Sequence, residues 1–394
     1  RMGFGSDVGG RRTPWIVGGM AVLASGGVLA ALATAWMATD RAAGLVLAVF
    51  AFGLVGLGVS AAGTSLLVLL AKRVPAGRRA GAATLVWMMM IFGFAVTAGV
   101  SGRLLDPYSP ERLVAVSAAV SLLAFALAML ALRGLEGAAD RTPAPAASAL
   151  RFRDALAQIW DEPVARRFTV FVFVSMLAFS AQDLILEPFA GTVFGFTPGE
   201  STQLSGAQHG GVLAGMILVA LAGALGARWS AHPVLRHVGS LRGWTIGGCV
   251  ASALALAGLV GAGLQGSGWP LTATVVALGV ANGAFSIGAI GSMMRLASEG
   301  RQAREGVRMG LWGASQAIAF ALGGLVGTAT SDIARALIAE PGPAYALVFA
   351  LQALMFLLSA VLAWRIAAPA PRAATPTSNA ADVMSLGTHQ RQLS

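Results

Sequence analysis

The sequence predicts an all-α membrane protein, and three observations carry that prediction. Hydrophobic residues make up 56% of its 394 positions and charged residues only 11%, with a mean hydropathy of +0.75. A water-soluble domain of this length has too little interior to hide that much apolar surface. Apolar stretches of about 20 residues, the length that crosses roughly 30 Å of hydrocarbon, recur ten times along the chain. The basic residues, finally, fall on alternate sides of these stretches, as membrane insertion requires.

Taken in order, the spans run over 14–38, 43–71, 80–101 and 113–132, and after a polar stretch over 168–189, 208–227, 243–263, 271–294, 309–328 and 344–364. The second is long enough to tilt or to run out into an interface. Trp15, Trp36, Trp229, Trp244, Trp269 and Trp364 fall near span ends, where an aromatic belt belongs. The polar stretch 133–167 carries TPAPAAS, a linker composition, and then LRFRDALAQIWDEPVARRF. In the latter, Leu150, Phe152, Leu156, Ile159 and Trp160 share one side of a helix, with Arg151, Arg153, Asp154 and Asp161 largely elsewhere. This reads either as an amphipathic helix on the inner membrane surface or as a linker helix packed on the bundle end. The chain thus divides into 1–132 with four helices, the cytoplasmic linker 133–167, 168–366 with six helices, and a tail, 367–394, of disordered composition.

With the spans numbered alternately, one side collects 23 of the 27 basic residues, leaving Arg41, Arg103, Arg112 and Arg335 opposite. That asymmetry places both ends of this chain in the cytoplasm. Acidic residues divide nearly evenly, so the net +10 is an insertion signal. It implies attraction to anionic membrane lipid and no nucleic-acid partner.

Several chemistries are set aside. The only lysine, Lys72, lies between Ala71 and Arg73, which is no phosphate-binding loop; Cys249 is the only cysteine; the four histidines form no HExxH, and there is no GxSxG. The chain is read as not an enzyme, with no catalytic residue, no metal site and no tightly bound cofactor. No cleavable signal precedes the first span.

The opening RMGFGSDVGGRR holds Gly3, Asp7, Gly10, Arg11 and Arg12, spaced G-x-x-x-D-x-x-G-R-R. It resembles the signature loop of major facilitator transporters, which joins the second and third of twelve helices in that superfamily. Glycines permit the tight turn, the carboxylate suits a helix N-terminus, and the arginines pin the loop to the cytoplasmic surface. The resemblance implies a two-bundle fold in which the ten helices are the last ten of a presumed twelve, so that a chain opening on Arg1 reads as N-terminally incomplete. The alternative is a ten-helix protein that starts here.

A narrower resemblance lies in FTVFVFVSMLAFSAQDLILEPFAGTVFGFTPGESTQLSG, with RFRDALAQIWDEPVARR upstream and GRLLDPYSPERL earlier. These segments are similar to the bacteriochlorophyll-delivery branch of the superfamily (PucC/LhaA-like). What this implies is a factor for assembling light-harvesting antenna in the inner (cytoplasmic or intracytoplasmic) membrane. Its implied partners are antenna polypeptides and bacteriochlorophyll or its synthesis machinery, with the pigment as cargo. The residues themselves leave a second class open, an ion-coupled secondary transporter of a small solute, which needs a titratable group near the bilayer midplane.

The candidate site begins with QDLILEP, residues 182–188. Asp183 and Glu187 are one helical turn apart on one face, with Gln182 about 100° to the side. Counted from Phe168, Asp183 lies about 22 Å and Glu187 about 28 Å along the helix, in the outer third, with Pro188 expected where the helix begins to break. The pair is either interfacial, capping neighbours or meeting water, or turned into the cleft between the halves to hold a polar group of the cargo. His209, expected at the outer end of the next helix, is either an axial ligand for a chlorophyll magnesium or a solvated interfacial residue. Gly206, Gly210, Gly211 and Gly215, with Gly323 and Gly327, form small-xxx-small pairs that serve packing within the bundle or a docking face. Met88, Met89 and Met90 suit a soft pigment-contacting surface or plain packing.

Overall fold

The computed structural model describes residues 13–75, 78–135, 160–228, 240–298 and 305–366. The Gly3–Asp7–Gly10–Arg11–Arg12 motif, most of the linker segment and the tail lie outside the described residues. Among the described residues there are ten helices and no strand: α1 (Thr13–Trp36), α2 (Arg41–Arg73), α3 (Arg79–Leu104), α4 (Pro110–Leu132), α5 (Pro163–Phe194), α6 (Pro198–Arg228), α7 (Leu241–Gln265), α8 (Leu271–Ser298), α9 (Glu305–Leu337) and α10 (Pro341–Ile366). All ten are long and apolar enough to cross a membrane, and the protein is a multi-pass membrane protein.

Local signals set the helix ends. Asp40 accepts from the Ala42 and Ala43 amides to start α2, and Ser109 accepts from Arg112 N with Pro110 next to it to start α4. α5 closes on Gly195 in the left-handed region, at φ 73°. α6 opens on a reciprocal cap: the Glu200 amide donates to Thr197 Oγ1 at 3.1 Å, while the Thr197 amide donates to Glu200 Oε2 at 2.8 Å, with Pro198 at the first helical position.

Two of these helices depart from the sequence expectation. α5 does not break at Pro188 but continues to Phe194. α6 starts at Pro198, ten positions before the apolar span begins. In both places polar residues that lower local hydropathy, Glu187 on α5 and Ser205 and His209 on α6, are paired within the protein, so the helices carry them inside the bundle.

Packing builds two groups. α1 lies along α2 and also meets α4, joined by a small core of Ile16, Ala62, Leu69 and Leu132. α5 and α7–α10 share a large core whose centre is aromatic, with Phe189 against Phe349 at 4.9 Å and Phe168 against Trp312 at 4.8 Å. Arg308 pairs with Glu162 and donates to the Leu296 carbonyl at 3.1 Å, which ties α9 to the start of α5 and the end of α8. α3 stands apart from its sequence neighbours α2 and α4 and runs along α6, so it forms the main seam between the two groups.

Glycines allow that seam to close. A Cβ on Gly102 would stand 2.6 Å from the Gly199 carbonyl, and one on Gly206 would stand 2.7 Å from Gly99 N. At the α5–α6 turn, Thr197 Oγ1 donates to Asp106 Oδ1 at 2.9 Å across the seam.

Candidate functional site

Where α3, α5 and α6 diverge below this seam, they leave a cavity of about 690 Å³. α5 supplies Asp183 and Glu187, which the i, i+4 spacing puts on one face, together with Leu184 and Pro188. Pro188 has no N–H, so the Leu184 carbonyl loses its intrahelical donor beside the cavity. α6 supplies Thr202, Ser205 and His209, and α3 closes the far wall with Phe94, Thr97 and Ser101.

The polar groups are mutually engaged. Ser205 Oγ donates to Glu187 Oε1 at 2.6 Å. Gln208 is buried behind them, 1% exposed. His209 Nδ1 lies 2.8 Å from the Ser205 carbonyl, and a carbonyl only accepts, so this nitrogen carries a proton. The Phe94 ring meets the imidazole edge to face, 5.4 Å between centroids and 83° between planes. Two carboxylates, an imidazole and several hydroxyls thus converge at membrane depth on a space with apolar walls. Such a site suits a molecule that is largely apolar but carries polar groups at fixed positions.

The structure brings Asp183, Glu187 and His209 together and leaves Gln182 out. Gln182 turns into the protein, 1% exposed, and neither amide atom has a hydrogen-bond partner among the described residues. Asp183 lies about 30 Å from the Pro163 end of α5 and about 17 Å from Phe194, because α5 is longer at both ends than its apolar core. His209 is not at the outer end of its helix. It lies about three turns inside α6, since the helix begins at Pro198.

The cavity also uses residues that sequence reasoning passed over: Ser205, Gln208, Phe94 and Thr97. The signal was available in part, because STQLSGAQH places Ser205 and His209 four apart and follows a T-P-G-E cap. The glycine pairs turn out to pack. Gly211 and Gly215 lie against α8, Gly323 and Gly327 against α5, and Gly206 against α3, while a Cβ on Gly210 would meet nothing within 4 Å. Met88 packs beside Ile91, Val212 and Met216 at the α3–α6 seam, whereas Met89 and Met90 are exposed.

The model of the PUCC protein family matches residues 1–370. The chain belongs to the PUCC protein family. One PUCC relative, from Rhodobacter capsulatus and named Bacteriochlorophyll synthase 44.5 kDa chain, is 50% identical over 352 residues, which cover 89% of this chain and 79% of that protein. A protein named PucC from the same organism is 29% identical over 376 residues, 89% of this chain and 77% of its own. The PucC protein of Cereibacter sphaeroides is 28% identical over 369 residues, with the same coverage. Among solved structures, the nucleoside transporter NupG superposes with a TM-score of 0.57 at 14% identity, covering 93% of this chain and 86% of that one. That likeness shows the fold: this PUCC chain has the two-bundle helical architecture of a major facilitator transporter.

Proposed function

We propose that the protein is an assembly factor for light-harvesting antenna, delivering bacteriochlorophyll to antenna polypeptides or escorting those polypeptides in the membrane. The observation that carries this reading is 50% identity, over 89% of the chain, to a relative named for bacteriochlorophyll synthesis, within a family matched over residues 1–370. The cavity between α3, α5 and α6 is the cargo site in this reading, with Asp183 and Glu187 holding polar groups of the pigment. A convergence of polar groups on an apolar cavity between two helix groups supports that assignment. The protein acts without catalysis, in the inner membrane and with both ends of this chain cytoplasmic; the distribution of its arginines supports the orientation.

Deletion of the gene in a phototrophic host is the test. Assembled antenna, read from near-infrared absorption of isolated membranes, falls several-fold while pigment-synthesis enzyme activities in extracts persist. Loss of those activities would make the chain part of the synthesis machinery itself. Unchanged antenna and unchanged synthesis would move the assignment to an ion-coupled carrier of a small solute.

A further inference from the structure

We infer that His209 is an axial ligand, through Nε2, for the metal of a flat metallotetrapyrrole held between α3, α5 and α6, an inference that rests on the pigment-cargo reading above. The Nδ1 proton of the imidazole is committed to the Ser205 carbonyl at 2.8 Å. In the neutral ring the other nitrogen then carries a lone pair. No hydrogen bond reaches Nε2 among the described residues. A histidine whose one ring nitrogen is tied to a backbone carbonyl is the usual arrangement of a metal-ligating imidazole, because the second bond fixes tautomer and ring plane. Phe94, edge to face at 83°, fixes the plane from the other side.

The surroundings do not use up that nitrogen. Glu187 already accepts from the Ser205 hydroxyl at 2.6 Å, and Asp183, which lies near the imidazole, makes no hydrogen bond to it among the described residues. Nor do they suit a bare ion. Among the described residues no group of three or more His, Cys, Asp or Glu side chains is placed to hold one, and a zinc-type site takes at least three protein ligands. A metal that arrives with four equatorial nitrogens from its own macrocycle needs only one ligand from the protein. The cavity, about 690 Å³ with Phe94, Leu184 and Pro188 on its walls, is within the size range of sites that enclose large organic ligands. Thr97 and Ser101 on the same walls leave hydroxyls for groups at the macrocycle edge.

The test titrates the purified full chain in detergent with bacteriochlorophyll and, separately, with its magnesium-free counterpart bacteriopheophytin, following absorption and circular dichroism. The wild-type chain binds the magnesium form at least about tenfold more tightly. H209A loses that preference and binds both pigments alike, and added imidazole restores it. F94A, which touches the same ring but removes no ligand, keeps the preference even where overall binding weakens. Equal wild-type binding of the two pigments, or a preference that survives in H209A, overturns the ligation while leaving the cargo reading in place. Failure of the wild type to bind either pigment overturns the cargo reading itself. Should H209A fail to accumulate, wild-type chain with isotopically labelled histidine gives an independent reading: a shifted metal–nitrogen Raman band is expected, and an unshifted one overturns the ligation.

Discussion

Helix α6 meets its neighbours in two different ways. Toward α8 it carries Gly211 and Gly215, facing Gly279 and Gly283, and the backbones approach so closely that a Cβ on Gly283 would stand 2.0 Å from the Val212 carbonyl and one on Gly215 would stand 2.1 Å from the Val280 carbonyl. Toward α3 and α5 the same helix carries Ser205, Gln208 and His209, and the backbones part around a cavity of about 690 Å³. Lipid offers no hydrophobic push between helices, so the first face holds by close van der Waals contact, which only small residues allow. The second face closes in that way only at Gly102 and Gly206, and between those points its polar side chains take up room and hold the backbones apart. The contrast teaches where to look for chemistry in such a bundle: the continuous glycine seam is scaffold, and the polar seam beside it is the candidate site.

The largest effect expected from breaking this contrast is on the glycine face. Gly283→Leu drives a branched side chain into a backbone carbonyl that cannot step aside, and destabilises the bundle by more than about 3 kcal/mol. The monodisperse peak in size-exclusion chromatography should disappear; a well-folded variant would show that the α6–α8 seam is looser than described.

On the polar face the expected loss is of function and not of fold. Asp183→Asn combined with Glu187→Gln keeps the shapes of both side chains, so stability changes by less than about 1 kcal/mol, yet antenna assembly in the complemented deletion strain falls several-fold. Normal assembly would discard the pair as functional. Disappearance of the protein from the membrane would make it structural.

A smaller effect is expected where the polar seam is closed at the α5–α6 turn. Thr197→Val removes the acceptor for the Glu200 amide and the donor to Asp106 together, a cost of about 1–2 kcal/mol visible as a lower thermal midpoint. The smallest effect sharpens the comparison from the other side. Gly210 lies between the two faces with open space around its Cβ position, so Gly210→Ala should raise stability slightly, by up to about 1 kcal/mol, through helix propensity alone. A clear loss there would mean that Gly210 packs against something after all.

Much of this architecture was legible in the residues, and the gaps have physical causes. The ten spans were readable because each apolar core satisfies the membrane by itself. The start of α6 was not, because STQLSGAQH looks too polar for a membrane helix until Ser205 and His209 are seen to have partners on α5 and on their own helix. The T-P-G-E cap did mark that start, and weighing it above hydropathy would have placed His209 correctly. Asp183 and Glu187 were identified as a pair by their spacing. Gln182, about 100° to the side of the pair, is buried in the protein and does not line the cavity.

What the sequence determined by itself was the ten membrane-length helices among the described residues, the multi-pass membrane class and the adjacency of Asp183 and Glu187. Hydropathy is averaged over about 20 residues and helical periodicity acts over four, so neither depends on what lies across the gap. Only the tertiary structure decided that α3 leaves α2 and α4 to lie along α6, and that Phe94 thereby meets His209 and completes a cavity with residues nearly a hundred positions away. The reason is that an apolar helix in lipid has no intrinsic preference among neighbours. The choice falls to the few points of close contact, Gly99 against Gly206 and Gly102 against Gly199, whose complementarity exists only between helices and in no single stretch of the chain.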